Sequence, residues 1–223
     1  MSADLFLIGD SHIIALCEAA DARGWSWQGG PLGTGMQLEQ CFWRQQGTEF
    51  VYTGTGENLI GHRFKDLLTF DGPIISTLGF NSHRFAIDFA SYAKSRQLAP
   101  LPSVLSDQAF ADTVRDSRRN ALAFYRLLSD HSREVYFTCS PQRVASSLLP
   151  VLRAFEDVLI DEVAATGARF IDFRHLALDD HVLRPEFCNA KDQMHGNAKL
   201  GGLILDVFEE AQFSIAKTGS LKE

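Results

Sequence analysis

The sequence predicts an α/β protein whose helices cover both faces of a central parallel sheet, a three-layer α/β/α sandwich. Short apolar runs bounded by Gly, Pro, Asp or Ser alternate along the chain with stretches whose apolar residues recur every three or four positions. Strands that alternate with helices form βαβ units with right-handed crossovers. The composition, with 45% hydrophobic and 22% charged residues among 223, is typical of one soluble globular domain.

Six short runs are predicted as strands. The first, Leu5–Ile8, lies between Asp4 and Gly9 and is too short to cross a membrane. Its continuous apolar character, shared with three later runs, is that of strands buried on both faces of a sheet. Those runs are Ile74–Leu78, Val135–Thr138 and Arg169–Phe173, and two further candidates are Trp25–Gln28 and Phe50–Thr53.

Helices are predicted between the strands from apolar residues at helical spacing. Phe110–Leu128, for example, places Val114, Leu122, Tyr125 and Leu128 three or four positions apart, with charges opposite. Gln97–Ser106 is predicted as a surface connection, because it contains Pro100 and Pro102 within a chain that reads as one domain. The other predicted helices are Ile13–Ala22, Met36–Arg44, Ser147–Ala165 and Leu200–Phe213.

Charge and cysteine usage exclude several classes of function. With 21 Lys and Arg against 28 Asp and Glu, the net charge is −7, which argues against nucleic acid as a partner and against a polybasic membrane anchor. The scattered cysteines (Cys17, Cys41, Cys139, Cys188) predict free thiols in a reducing compartment rather than a zinc site. No basic leader precedes the first strand, so we expect a cytoplasmic protein with one domain over residues 1–216 and a polar tail over 217–223.

Ligands of open α/β sheets bind beyond the carboxyl ends of the strands, so the residues directly after each strand are the first candidates for a site. Gly9-Asp10-Ser11-His12 comes directly after the first strand. It is either a capped strand-to-helix turn or a serine placed where a helix N-terminus favours an oxyanion. Asn81, after Gly79, either closes a turn or donates its carboxamide N–H into the cleft.

A histidine that activates a serine needs an acceptor to orient its other ring nitrogen. Asp192 and His195, three apart before the last predicted helix, supply both groups. The same pattern occurs at Asp172 and His175. We favour the first pair because it lies past the last strand, whereas Asp172 falls within that strand and is expected to cap the following turn.

Taken together, Gly9-Asp10-Ser11, Gly79-x-Asn81 and Asp192-x-x-His195 resemble, in order and position, conserved blocks of the GDSL/SGNH hydrolase family. The resemblance covers about residues 4 to 213. It implies a flavodoxin-like sheet and a serine esterase or acyltransferase without metal or organic cofactor. It also implies that Ser11 is the nucleophile, His195 the base and acid, and Asp192 the orienting carboxylate.

The resemblance further implies an oxyanion hole formed by the Ser11 N–H, the Asn81 carboxamide and a glycine N–H. Gly35 or Gly33, in the turn after the second strand, is the candidate for that glycine, with Gly35 favoured and Gly54-Thr55-Gly56 a weaker alternative. The candidate pocket residues are Asp10, His12, Phe80 and His83, with Phe85 as a further aromatic neighbour.

The chain departs from the family pattern at three places. His12 replaces the eponymous Leu, and Ser82 stands where many members have Asp. Residues 48–70, which include Glu57, Asn58 and His62, are an insertion that we expect to form a rim of the pocket. Arg118-Arg119 is expected on a solvated helix face.

The expected function is hydrolysis of a carboxylic ester of a small-molecule or glycan substrate, with a small acyl or O-acetyl group. An O-acyltransferase that moves acetyl groups onto sugars would use the same residues. A catalytically silent α/β domain, in which Ser11 and Asn81 hold a small anion at a helix N-terminus, is the alternative from a different class. The sequence does not indicate an oligomeric state.

Overall fold

The computed structural model describes residues 4–47, 49–54, 61–98, 104–131, 134–140 and 143–219. Its centre is a sheet of five parallel strands whose spatial order is β2-β1-β5-β6-β7. Among these five strands alone, that order is 2-1-3-4-5, the order of flavodoxin-like sheets, so the predicted fold class is confirmed. The strands are β1 (Leu5–Gly9), β2 (Trp27–Pro31), β5 (Ile74–Ser76), β6 (Val135–Phe137) and β7 (Arg169–Phe170).

Two small antiparallel hairpins lie outside the parallel sheet. One pairs β3 (Trp43–Gln46) with β4 (Glu49–Tyr52), and the other pairs β8 (Leu178–Asp179) with β9 (Val182–Leu183). The α-helices are α1 (Ile14–Ala22), α2 (Ser82–Ser95), α3 (Asp107–Ser117), α4 (Arg119–His131), α5 (Leu149–Ala164), α6 (Arg174–Ala177) and α7 (Ala198–Gly219).

Helices cover both faces of the sheet. Adjacent side chains of a strand point to opposite faces, and in β6 the Tyr136 ring packs against Phe208 of α7 while the Phe137 ring packs against Tyr125 of α4. α1 lies beside α7 on the first face, and α2, α3 and α4 pack with α5 on the other. The three inner strands β1, β5 and β6 are buried along their whole length, which explains their continuous apolar sequence, whereas the edge strands β2 and β7 are partly exposed.

Several predicted elements are corrected by the structure. Met36–Arg44 is not a helix: it forms turns and then enters β3. The strand predicted at Phe50–Thr53 exists as β4, but it pairs with β3 and not with the parallel sheet. Phe110–Leu128 is divided between α3 and α4, with the break at Arg118.

Some of the positions singled out in the sequence lie outside the described residues. They are Thr55, Gly56, Glu57 and Asn58, residues 99–103 of the predicted connection, residues 220–223 of the predicted tail, and the side chain of His62. The four cysteines are free thiols, as predicted. Within the described part of the chain, no helix is long and apolar enough to span a membrane.

Candidate active site

The predicted site lies at the carboxyl edge of the sheet, where the chain leaves the adjacent strands β1 and β5 in opposite directions. This is the position at which flavodoxin-like sheets bind ligands. An open cleft of about 360 Å³ occurs there. It brings together most of the residues singled out in the sequence, namely Asp10, Ser11, His12, Gly35, Asn81, His83, Asp192 and His195.

Ser11 begins a single turn of 3-10 helix that leads from β1 into α1. Asp10 caps this turn by accepting the backbone N–H of His12 on Oδ1 at 3.0 Å. Burial raises the pKa of the Asp10 carboxyl to about 6, against the opposing effects of that hydrogen bond and of the nearby His195 side chain. The turn therefore holds Ser11 at a helix N-terminus, with its side chain facing the cleft.

Ser11, His195 and Asp192 form a chain of hydrogen bonds. The Ser11 Oγ lies 2.8 Å from Nε2 of His195, and Nδ1 of His195 lies 2.5 Å from Oδ2 of Asp192. Hydrogen bonds from the Met194 backbone N–H and from His195 hold the pKa of Asp192 below its usual value. An ionised carboxylate only accepts hydrogen bonds, so Nδ1 carries the proton and Nε2 accepts from the serine hydroxyl.

The turn that carries His195 is fixed from both sides. Asn197 Oδ1 accepts the backbone N–H groups of Lys199 and Leu200 and so begins α7. Its Nδ2 donates to the carbonyl oxygens of Glu186 and Cys188 at 2.9 Å. Asn197 thus ties the His195 turn to the preceding segment and to the last helix. Sequence reasoning did not assign it this role, although its place before an apolar helix is a capping signal.

The competing pair at Asp172 and His175 has a different environment. Asp172 lies beyond the end of β7, not within the strand as predicted, and its carboxylate accepts the backbone N–H and the guanidinium of Arg174. The hydrogen bond from the Arg174 guanidinium is the main reason that the pKa of Asp172 lies below its usual value, and the backbone hydrogen bond from Arg174 adds to this effect. Capping of the following turn is confirmed.

His12 and His83 line the cleft beside His195. The His12 ring stacks on the His195 ring with centroids 4.5 Å apart, and it lies in a T-shaped arrangement with the His83 ring, whose centroid is 6.5 Å away. Burial and the neighbouring histidines lower the pKa of His12 to about 3, so it is neutral near pH 7. A neutral ring can remain against His195 when that residue becomes charged. Among the described residues, no group of His, Cys, Asp or Glu is arranged to hold a metal ion.

Asn81 faces the cleft from the N-terminus of α2, next to Gly35. A Cβ on Gly35 would lie 2.7 Å from both Cβ and Nδ2 of Asn81, so only glycine permits this approach. Gly33 is not among the residues that line the cleft, nor is Gly54. Gly79, which precedes Asn81 by two residues, has a φ of +86° that favours glycine. The geometry supports Gly35 over Gly33 as the glycine nearest Asn81.

Two sequence expectations about this region are wrong. Phe80 does not line the cleft: it is fully buried and stacks on Phe137, and Phe85 is mostly buried against Phe155. Arg118 is not solvated, because it turns inward at the break between α3 and α4 and is 5% exposed. Burial lowers its pKa, and Glu39 and Asp10 oppose that effect. Arg119 is exposed as expected and pairs with Asp116.

Comparison with known proteins bears on the fold. No family model matches the sequence, and no curated protein matches it. Among solved structures, a protein from Streptococcus pneumonia, provisionally assigned as a platelet activating factor, matches with a TM-score of 0.57 and 12% identity over 95% of this chain and 84% of its own. At this identity the match shows the fold alone, and it confirms the fold that the sequence resemblance implied.

Two further structures match less closely, both with TM-scores of 0.49. One is a provisionally assigned lipolytic protein of the G-D-S-L family from Desulfitobacterium hafniense DCB-2, 12% identical over 92% of this chain and 97% of its own. The other is an acetylxylan esterase from Geobacillus stearothermophilus, 11% identical over 92% of each chain. The comparison of folds therefore rests on the first structure.

Proposed function

We propose that this protein is a serine hydrolase of carboxylic esters, with Ser11 as nucleophile. The observation that carries the proposal is the hydrogen-bond chain from Ser11 through His195 to Asp192. These three residues line the same cleft as Asn81 and Gly35. A serine needs an adjacent base, and the base needs a group that orients it. Ser11, His195 and Asp192 lie within hydrogen-bond distance in the order that these roles require, which supports the proposal.

In the first half of the reaction, His195 Nε2 takes the proton of the Ser11 hydroxyl as Oγ attacks the ester carbonyl carbon. The developing oxyanion is stabilised by the Ser11 N–H, the Gly35 N–H and the Asn81 carboxamide. The C–O bond to the alcohol breaks as protonated His195 gives its proton to the leaving oxygen. Water then attacks the acyl-serine with His195 again as base, and the acid and free Ser11 are released.

The proposed substrate carries a small acyl group, such as acetyl, on a small-molecule or glycan alcohol. The cleft volume of about 360 Å³ is near the lower end of the volumes of ligand-binding sites. The apolar side chains of Met36, Ile87 and Met194 line the cleft. Such a cleft fits a short acyl chain and the adjoining part of the alcohol.

The test is hydrolysis of p-nitrophenyl acetate, butyrate and octanoate, and of an acetylated sugar, by the wild type and by Ser11→Ala. We expect turnover of the short esters that falls by at least about 1,000-fold in Ser11→Ala without loss of fold. Ser147→Ala, which alters an exposed serine that does not line the cleft, is the matched control and should retain activity. Equal rates for Ser11→Ala and the wild type would contradict the proposal.

A further inference from the structure

Behind the candidate oxyanion donor Asn81 lies an ion pair that no part of the proposed reaction uses. Asn81 Nδ2 donates to Oε1 of Glu39 at 3.3 Å. The same carboxylate oxygen lies 3.8 Å from Nη1 of Arg118. Glu39 stands on the turn between Gly35 and β3, and Arg118 stands at the break between α3 and α4, so two distant segments meet at Asn81.

The chemistry of Glu39 determines which way the Asn81 carboxamide faces. A carboxylate has no proton to donate when ionised, so it pairs with the NH₂ end of the amide and not with its oxygen. One hydrogen of Nδ2 is then held by Glu39, and the second remains for an acceptor in the cleft. An amide rotated by 180° would place its oxygen against the carboxylate and remove the donor from the oxyanion hole.

Arg118 holds Glu39 in place and balances its charge. Its Nε donates to the Gly79 carbonyl at 2.8 Å, within the same turn that carries Asn81. Its guanidinium also lies 4.9 Å from the centre of the Phe155 ring, and the side chain is 5% exposed. A guanidinium fixed in this way brings positive charge to the carboxylate, which would otherwise oppose the negative charge that develops on the substrate oxygen.

The backbone of Glu39 is fixed as well. Asn120 Nδ2, from the start of α4, donates to the Glu39 carbonyl at 2.9 Å. The carboxylate position is therefore set by α4 and by the α3–α4 break together, and does not depend on the turn alone.

We infer that Glu39, held by Arg118, is a positioning residue that fixes the Asn81 carboxamide with a hydrogen directed to the oxyanion. This inference rests on the proposed ester hydrolysis and adds two residues to it. Neither residue contacts the reacting atoms. Their effect is transmitted through Asn81, and this makes a double-mutant cycle the decisive test.

The cycle compares wild type, Glu39→Ala, Asn81→Ala and the double variant, with kcat and KM measured on the best short ester. Loss of an oxyanion donor costs about 100- to 1,000-fold in kcat, so Asn81→Ala is expected in that range. Glu39→Ala is expected to lower kcat about 10-fold with little change in KM, because it affects transition-state stabilisation alone. In the Asn81→Ala background the same change should alter kcat by less than about 2-fold.

Two further variants keep the test independent of folding. Glu39→Gln retains a side-chain oxygen that can accept from Asn81, and should recover kcat to within about 3-fold of the wild type. Glu49→Ala removes an exposed carboxylate from β4 and should leave both constants unchanged. Thermal unfolding of each variant establishes that it is folded.

The outcomes separate the two claims. Equal fold-losses for Glu39→Ala in both backgrounds, or a change confined to KM, would overturn the inference and leave ester hydrolysis intact. A wild type that neither hydrolyses any ester nor reacts with a fluorophosphonate would overturn the proposed function, and the inference with it.

Discussion

The orientation of the His195 ring is fixed by its neighbours in the cleft. Asp192 accepts from the backbone at one oxygen and from His195 at the other, and this leaves Nε2 of His195 directed at Ser11. His12 supports the same ring by stacking and stays neutral because it is buried. The arrangement suits a histidine that gains and loses a proton within one catalytic cycle.

Replacing the orienting carboxylate tests this assignment. Asp192→Asn offers His195 an amide that can face the ring with its NH₂ group, so the ring no longer has a fixed tautomer. We expect kcat to fall by at least about 100-fold with a smaller change in KM. Steady-state kinetics on a short ester measure both constants.

The chain supplies its own control, because Asp172 and His175 repeat the spacing of Asp192 and His195. Asp172 is bound to Arg174, outside the cleft. Asp172→Asn should therefore leave kcat within about 2-fold of the wild type. If Asp172→Asn lowered kcat as strongly as Asp192→Asn, the two pairs would have been assigned the wrong way round.

Some residues of this region cannot be found from local sequence. Ser11, Asn81, Asp192 and His195 come after strands or precede a helix, so their places could be predicted. Arg118 lies beside Arg119 in a polar stretch, and only the break between α3 and α4 turns it inward. No local sequence pattern marks Glu39, because its partners Asn81 and Arg118 are 42 and 79 positions away along the chain.

At the scale of elements, the turn between β2 and β3 shapes one wall of the cleft. Gly35 packs directly against Asn81, whereas a Cβ on Gly33 would meet the end of the flexible Gln37 side chain at 2.8 Å. Neither glycine has a positive φ. The two positions therefore differ in which atoms an added methyl group would displace.

We expect Gly35→Ala to lower kcat by at least about 10-fold, because the methyl group would displace the Asn81 carboxamide and shift a backbone N–H of the proposed oxyanion hole. Gly33→Ala should lose less than about 3-fold, since Gln37 can move aside. Measurement of kcat for both variants on the same ester decides which glycine contributes to the proposed oxyanion hole. A larger loss for Gly33→Ala would assign the oxyanion glycine to position 33.

The two wrong predictions at Met36–Arg44 and Phe50–Thr53 share a physical cause. Leu38 and Phe42 are spaced like residues on one helix face, but Phe42 packs against Phe124 and the chain then pairs Trp43 with Tyr52. Such pairing depends on a distant partner, and periodicity does not report it. The buried parallel strands were predictable because a run such as Leu5–Ile8 is apolar on both faces and needs no partner to be recognised.

At the scale of the whole molecule, a buried carboxyl joins two helices that cover the same face of the sheet. Glu156 of α5 accepts from the Ser82 hydroxyl of α2 at 2.8 Å. Burial raises its pKa to about 7, against the opposing effects of Ser82 and Arg174, while Asp157 adds to the rise. The folded state thus retains a proton that the unfolded chain releases near its ordinary pKa of 4.5.

The free energy of unfolding should therefore decrease as the pH rises from about 4.5 to 7, because the folded state binds more protons in this window. With about 1.4 kcal/mol per pKa unit, the buried charge costs about 3 kcal/mol at pH 8. Glu156→Gln removes that charge, so urea unfolding should show it more stable than the wild type by about 2–3 kcal/mol at pH 8.

The same comparison at pH 5 should show little difference, since Glu156 is then protonated in the folded state. The Asp10 carboxyl, with a pKa of about 6, is present in both proteins and does not affect their difference. Glu49→Gln, at an exposed position, should follow the wild type at both values of pH. A Glu156→Gln protein that is less stable at pH 8 would mean that the carboxylate is stabilised by its partners.

The central claim is that Ser11 is an activated nucleophile, and the most direct measurement is the intact mass of the wild type and of Ser11→Ala after exposure to a small fluorophosphonate. Ser11 and His195 are already within hydrogen-bond distance, so we expect one adduct on the wild type and none on Ser11→Ala. A folded wild type without an adduct, or an equal adduct on both proteins, would contradict the assignment of Ser11 as the nucleophile.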